Sequence, residues 1–207
     1  MKGTPYDFFV QWHLTERCNL RCRHCYQVGT VAEMGCEEIC RAVDNVENAI
    51  HSWVTEYDMQ MSPSFHFTGG EPFLRKDLFE IIGYVREHGF SVSLMSNGIL
   101  IDNVMAQRIK DVGVDDVQIS LDGLEATHDS LRGSGSYQRT LQGIGNLVSR
   151  GVEANINLTV SRINAGQISQ LVRLAEKMGV SAIAFSRLVP TGRGKGLSGE
   201  ALTSQEV

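Results

Sequence analysis

The stretch Glu87–Asn97, EHGFSVSLMSN, ends one pattern and begins another at Gly89. Ahead of it, Leu78, Ile81, Ile82 and Val85 follow i, i+3, i+4, i+7 spacing, the stripe of a helix with one apolar face. After Gly89 comes a short run rich in strand formers. The same sentence recurs as DVGVDDVQIS (111–120), SRGVEANINL (149–158) and KMGVSAIAFS (177–186). Gly89, Gly113, Gly151 and Gly179 each stand where a helix end needs a residue free to turn left-handed. Two further helical stripes precede them: Leu141, Ile144, Leu147, Val148, and Ile168, Leu171, Val172, Ala175. Strands are expected near 8–15, 64–68, 91–96, 116–121, 153–161 and 182–188, with five complete helices between them. Strand alternating with helix means βα units and a parallel sheet, an α/β fold. The C-terminal EALTSQEV resembles a helix start, with Thr203 as cap and Glu206 three residues on. We expect a sixth helix to begin there and the chain to be part of a longer protein.

The 207 residues suffice for one domain with a large core. A net charge of −5 argues against a nucleic-acid partner. No apolar run is long enough to span a membrane, and no basic-then-apolar leader opens the chain. Five cysteines, three of them bunched, suit a metal site in a reducing cytoplasm better than a disulfide framework. Cys36 and Cys40 sit among Ile39, Val43 and Val46 and are expected as small buried apolar side chains.

The bunch is CNLRCRHCY (18–26), directly after the first strand. In a parallel α/β sheet the strand C-terminal ends carry the functional site, so the loop is well placed. Arg17, Arg21, Arg23 and His24 give it a positive setting that favours thiolates. A structural zinc site would need a fourth ligand, and His24 is jammed between Cys22 and Cys25. A [4Fe–4S] cluster needs only three cysteines if one iron stays open to a substrate or cofactor. The spacing favours the cluster over zinc or free thiols. The second motif is FHFTGGEP (65–72), where Gly69 and Gly70 permit close backbone approach to a ligand and Glu71 offers a carboxylate to a cationic amine. Alone, it would read as a turn with a solvated Glu. GRGKG (192–196) fails the phosphate-loop pattern.

Together, C-x3-C-x2-C after the first strand and GGEP after the second resemble the signatures of the radical S-adenosylmethionine (SAM) enzymes. The resemblance covers nearly the whole chain and implies a partial (β/α)6 TIM-like barrel. It implies that Cys18, Cys22 and Cys25 hold a [4Fe–4S] cluster whose open iron is chelated by SAM. His24 occupies the adenine-contacting position, and Gly69, Gly70 and Glu71 the strip that binds the SAM amino group. MSNG (95–98) resembles the third-strand motif, with Ser96 and Asn97 facing the pocket. ISLDG (119–123) resembles the fourth-strand motif, with Ser120 on the ribose or the SAM carboxylate and Asp122 nearby. Leu188 or Val189 would pack on the adenine, and Arg132 or Arg139 could reach the SAM carboxylate. His66, expected to point into the barrel with Thr68, and Asp122 are the candidate catalytic residues. His128 and Asp129 are read as structural or capping residues in a loop.

Among such enzymes the composite LTERCNLRCRHCY, TGGEPFLRKDL, HDSLRG and RLVPTGRG most resembles the branch with a C-terminal SPASM or twitch domain. That branch implies a maturase acting on a peptide, a protein or a cofactor precursor, an electron donor such as flavodoxin or ferredoxin, and an auxiliary domain after residue 207. A molybdopterin-type nucleotide cyclase is the alternative within enzymes. A non-catalytic iron–sulfur or zinc module is the alternative outside them, and it has no need of GGEP and ISLDG.

Overall fold

The computed structural model describes residues 5–27, 29 and 31–206. Six parallel strands lie in sequence order: β1 (Tyr6–Thr15), β2 (Met61–Gly69), β3 (Ser91–Ser96), β4 (Asp116–Ser120), β5 (Glu153–Val160) and β6 (Ala182–Arg187). Each pairs with the next and β1 does not meet β6, so the sheet curls into a half-barrel with a lateral opening. The helices are α1 (Cys36–Tyr57), α2 (Leu78–Glu87), α3 (Asn103–Asp111), α4 (Glu125–Arg132), α5 (Ser136–Ser149) and α6 (Ile168–Met178). The four glycines after helix ends all adopt φ between 70° and 78°, the left-handed conformation that stops a helix without a Cβ penalty.

The two faces of the sheet differ chemically. The outer face presents Phe65 and Phe67, Val92 and Leu94, Val117 and Ile119, Ile156 and Leu158, all fully buried. They pack on Ile81, Ile82, Val85, Ile109, Ile144, Leu147 and Leu171 of the helices. Each such side chain contributes about 1.5–3 kcal/mol by leaving water. The inner face carries His66 and Thr68, Ser93 and Met95, Gln118 and Ser120, Asn155, Asn157 and Thr159. Closed eight-stranded barrels fill this space with branched apolar side chains. Here the polar inner face leaves it open.

Three expectations need correction. Residues 125–132, read as a loop, form α4, and the helices number six among the described residues. The Gly-rich 190–199 stretch contains 3-10 turns over Gly192–Glu200 that seat on the cysteine loop. At the C-terminus the Thr203 N–H and Oγ both donate to the Glu206 carboxylate at 2.8 Å, so the expected capping contact forms, and Glu206 also pairs with Arg162 at 2.7 Å. The described residues there show a single turn. Cys36 and Cys40 are half-buried rather than buried; the Cys36 thiol is pushed up to about 11 by desolvation and then by Cys40.

Candidate cofactor site

A cavity of about 620 Å³ opens at the C-terminal ends of the strands. Cys18, Cys22 and Cys25 form one wall. Thr68, Gly69 and Gly70 from β2, Met95, Ser96 and Asn97 from β3, and Gln118 and Ser120 from β4 form the next. Asn157, Thr159, Ser186, Arg187 and Leu188 complete it.

The cysteine loop is fixed by hydrogen bonds to four separate pieces of the fold. The Gly70 N–H donates to the Thr15 carbonyl at 2.7 Å, and the Glu71 N–H to that of Arg17 at 2.8 Å. The Arg23 N–H reaches the Leu131 carbonyl at the end of α4 at 2.8 Å. The Arg193 N–H donates to the Cys25 carbonyl at 2.9 Å, and its Nε to that of Cys22 at 3.0 Å. Asn97 Nδ2 donates to Asn19 Oδ1 at 2.7 Å. A loop so rich in polar groups needs these partners, since each one left unpaired in a buried place costs about 1–3 kcal/mol.

The Gly-Gly pair serves this crossing. A Cβ on Gly69 would lie 2.2 Å from the Thr15 carbonyl oxygen, and one on Gly70 would lie 2.2 Å from that of Arg17. The glycines are required by approach of backbone to backbone, although both also face the cavity. Gly192 plays the matching part opposite, where a Cβ would meet the Tyr26 carbonyl at 2.5 Å.

Glu71 does not line the cavity. It is 0% exposed, and its carboxylate accepts from Ser96 Oγ and Asn97 N at 2.9 Å and from Phe73 N at 3.3 Å. Burial is the largest influence and pushes its carboxyl up to about 7, against these donors. Placed so, it fastens the tips of β2 and β3 and does not reach out to an amine. Asp122 is likewise enclosed. Its Oδ1 accepts from the Thr159 N–H at 2.9 Å and its Oδ2 from Arg132 Nε at 2.5 Å, with His24 Nε2 at 3.2 Å. Arg132 and His24 outweigh burial and hold the Asp122 carboxyl below the usual range. A carboxylate so committed has no free edge for proton transfer to a substrate. His66 shares the inner face with Thr68, as expected. It lies one step nearer the N-terminal ends, outside the cavity lining, its ring stacked on Phe9 at 5.1 Å and its Nε2 3.2 Å from Ser64 Oγ. The candidate catalytic residues therefore stand outside the cavity.

Nine of the expected cofactor contacts do line it: His24, Gly69, Gly70, Ser96, Asn97, Ser120, Arg132, Leu188 and Val189. His128 is fully buried and accepts the Asp122 N–H on Nδ1 at 3.1 Å. Asp129 caps α5, accepting from the N–H groups of Gly135 and Tyr137 at 2.6 and 2.8 Å. Arg139 is tied to the Gly135 carbonyl at 3.1 Å. Sequence reasoning missed Gln118, Asn157, Thr159 and Ser186 as cavity residues. Their signal was present, as polar residues at every second position of β4 to β6.

The donor set can be tested against a cluster. The three thiols line one cavity, yet among the described residues no three Cys, His, Asp or Glu side chains close on a common point as ligands of one ion. Zinc gathers its thiolates around a single centre at about 2.3 Å. A cubane takes one thiolate at each of three corners and holds them apart. Three thiols on one cavity wall are the donor set such a cluster takes. Two buried polar atoms on cavity-lining residues, His24 Nδ1 and Gln27 Nε2, have no partner. A donor and acceptor left over in such a place suit a polar ligand.

Comparison with known proteins agrees with this geometry. Residues 12–175 match the Radical SAM superfamily, and the chain belongs to that family, whose members use a [4Fe–4S] cluster and SAM. The chain is 35% identical over 202 residues to the Fe-coproporphyrin III synthase of Methanosarcina barkeri, covering 95% of this chain and 48% of that protein. It is 33% identical over 200 residues to the mycofactocin maturase of Mycobacterium ulcerans, covering 93% and 50%. It thus spans about half the length of these curated relatives. Among solved structures, anSMEcpe with bound AdoMet and Kp18Cys peptide superposes with a TM-score of 0.73 at 23% identity, over 90% of this chain and 52% of that one. That likeness shows the shared half-barrel.

Proposed function

We propose that this chain is the SAM-cleaving core of a maturase that acts on a peptide, a protein or a cofactor precursor. The observation that carries the reading is the three-cysteine wall of an open, polar cavity at the strand ends. Cys18, Cys22 and Cys25 would hold the [4Fe–4S] cluster. His24, Gly69, Gly70, Ser96, Asn97, Ser120 and Leu188 would surround SAM. When bound, these two groups supply a 5′-deoxyadenosyl radical that takes a hydrogen atom from substrate.

The protein's own part is placement. Ser120 presents a hydroxyl from the floor. Leu188, 7% exposed, offers an apolar surface for a nucleobase. His24 Nε2 is engaged by Asp122, which leaves Nδ1 as an acceptor suited to the adenine amino group. The lateral opening between β1 and β6 admits a substrate larger than the cavity. The relatives' names, a porphyrin synthase and a mycofactocin maturase, and the peptide in the solved neighbour support the substrate class. Their greater length supports an auxiliary SPASM or twitch-like domain. A flavodoxin- or ferredoxin-like donor would supply the electron. No described helix is long and apolar enough to cross a membrane.

The test is anaerobic reconstitution with iron and sulfide, then dithionite and SAM, with 5′-deoxyadenosine as the readout. Wild type is expected to produce it, and Cys22→Ala is expected to lose both the visible cluster absorbance and the product. A fully loaded wild type that neither binds nor cleaves SAM would sink the reading.

A further inference from the structure

Beside the cysteine wall, lining the same cavity, lies a charged group that the proposed function does not use. Arg132, the last residue of α4, is enclosed, its side chain 10% exposed. Two of its guanidinium nitrogens are engaged. Nε donates to Asp122 Oδ2 at 2.5 Å, Nη2 lies 3.4 Å from His24 Nε2, and Nη1 points at Cys22 Sγ from 3.9 Å. Asp122 is itself locked by the Thr159 N–H, while its carbonyl accepts from Asn164 Nδ2 at 2.9 Å and its own N–H meets His128. The end of α4 is tied to the cysteine loop by the bond from Arg23 N–H to the Leu131 carbonyl. The guanidinium is thus held against one thiol by a scaffold on three elements.

We propose that Arg132 is a positioning residue for the iron–sulfur centre: clamped by Asp122, it donates an N–H to the Cys22 sulfur and raises the reduction potential of the cluster. The inference rests on the cluster assignment above. Its physics is simple. Three thiolates make the site anionic, and reduction adds one more negative charge. A fixed cation and an N–H donor at one sulfur stabilise the reduced state more than the oxidised one, as hydrogen bonds to cluster sulfurs do generally. Part of the free energy of that charge-assisted hydrogen bond appears in the potential. Asp122 acts through Arg132. It holds the cation in place and moderates its charge. One electron enters the cluster from the external reductant, and no bond to Arg132 is made or broken.

The experiment is anaerobic redox titration of the reconstituted protein, following the EPR signal of the reduced cluster, with iron and sulfide content measured on every sample. Arg132→Gln is expected to load its cluster and to show about tenfold less reduced form at a fixed potential, a shift of about 59 mV to the negative for one electron. Asp122→Asn, which leaves the cation unmoderated, is expected to shift the other way. An unchanged midpoint in a fully loaded Arg132→Gln overturns the proposal. Removing one partner of a buried pair can destabilise the fold, so one arm uses wild type alone. Protein labelled with 15N only in the arginine guanidino groups is expected to show a 15N coupling to the reduced cluster in pulsed EPR. Absence of that coupling also overturns the proposal. If wild type takes up no [4Fe–4S] cluster at all, the parent assignment fails instead, and the two failures are told apart by the iron content.

Discussion

Glu71 and His128 are both enclosed, yet they make stability depend on pH in opposite senses. Burial raises the Glu71 carboxyl to about 7 from 4.5, so the folded state keeps a proton that the unfolded chain releases. Its contribution is complete below about pH 4.5 and is lost as pH rises through 7. Burial lowers His128 to about 4 from 6.5, with Arg132 adding to the effect. The folded state then refuses a proton that the unfolded chain takes up, and stability falls as pH drops from 6.5 toward 4. Glu71→Gln removes the first titration. It also turns an amide donor toward the N–H groups that Glu71 now accepts from, at a cost of about 1–3 kcal/mol. Melting curves between pH 4.5 and 8 are expected to show wild type losing stability relative to Glu71→Gln as pH rises. Curves that stay parallel throughout would remove Glu71 as the source. None of this could be read in advance. GGEP suggested a carboxylate offered to an amine, and only the depth of Glu71 behind β2 and β3 shows its other partners.

At the scale of the element, one substitution changes sign with its surroundings. Gly70→Ala places a Cβ 2.2 Å from the Arg17 carbonyl oxygen, backbone against backbone, with no side chain free to yield. It is expected to cost about 3 kcal/mol by overpacking. Gly83 sits inside α2 with nothing within 4 Å of an added Cβ. Gly83→Ala is expected to stabilise by about 0.5–1 kcal/mol through helix propensity alone. Denaturant unfolding of the two variants reads both signs, and a Gly70→Ala protein as stable as wild type would show that the crossing at the β2 tip can relax. The elements themselves were largely legible. Gly89, Gly113, Gly151 and Gly179 placed the helix ends because a left-handed cap is a local requirement. The six strands fell within a few residues of their places, since their apolar outer faces are local too. α4 escaped because eight residues with His128 and Leu131 as its buried contacts carry no stripe. The turns at 192–200 escaped because what shapes them, the carbonyls of Cys22, Cys25 and Tyr26, lies far away in the chain.

The whole molecule divides into a shell and a mouth. The shell is the outer face of β2 to β5 against α2, α3, α5 and α6, where apolar side chains are fully buried. The mouth is the cysteine loop and the 192–200 turns, joined by single polar bonds and by a small cluster of Leu131, Leu188 and Leu197. Regions poor in buried apolar contacts open at lower free energy than the core. In cluster-free protein, amides of 16–27 and 190–197 should therefore exchange with solvent well before those of β2 to β5. The cluster would bind three points of that loop at once, and the loop carries the 192–194 segment through the Arg193 bonds. Any ligand that binds the closed mouth shifts the equilibrium toward it. Hydrogen exchange before and after reconstitution is expected to slow by about tenfold or more in both segments together, which corresponds to about 1.4 kcal/mol of added closure, while the shell is unchanged. Slowing confined to 16–27 would mean that the Arg193 clasp is not coupled to cluster binding. Slowing spread evenly over the shell would mean that the cluster stabilises the fold as one unit, and that the mouth has no independent motion for it to arrest.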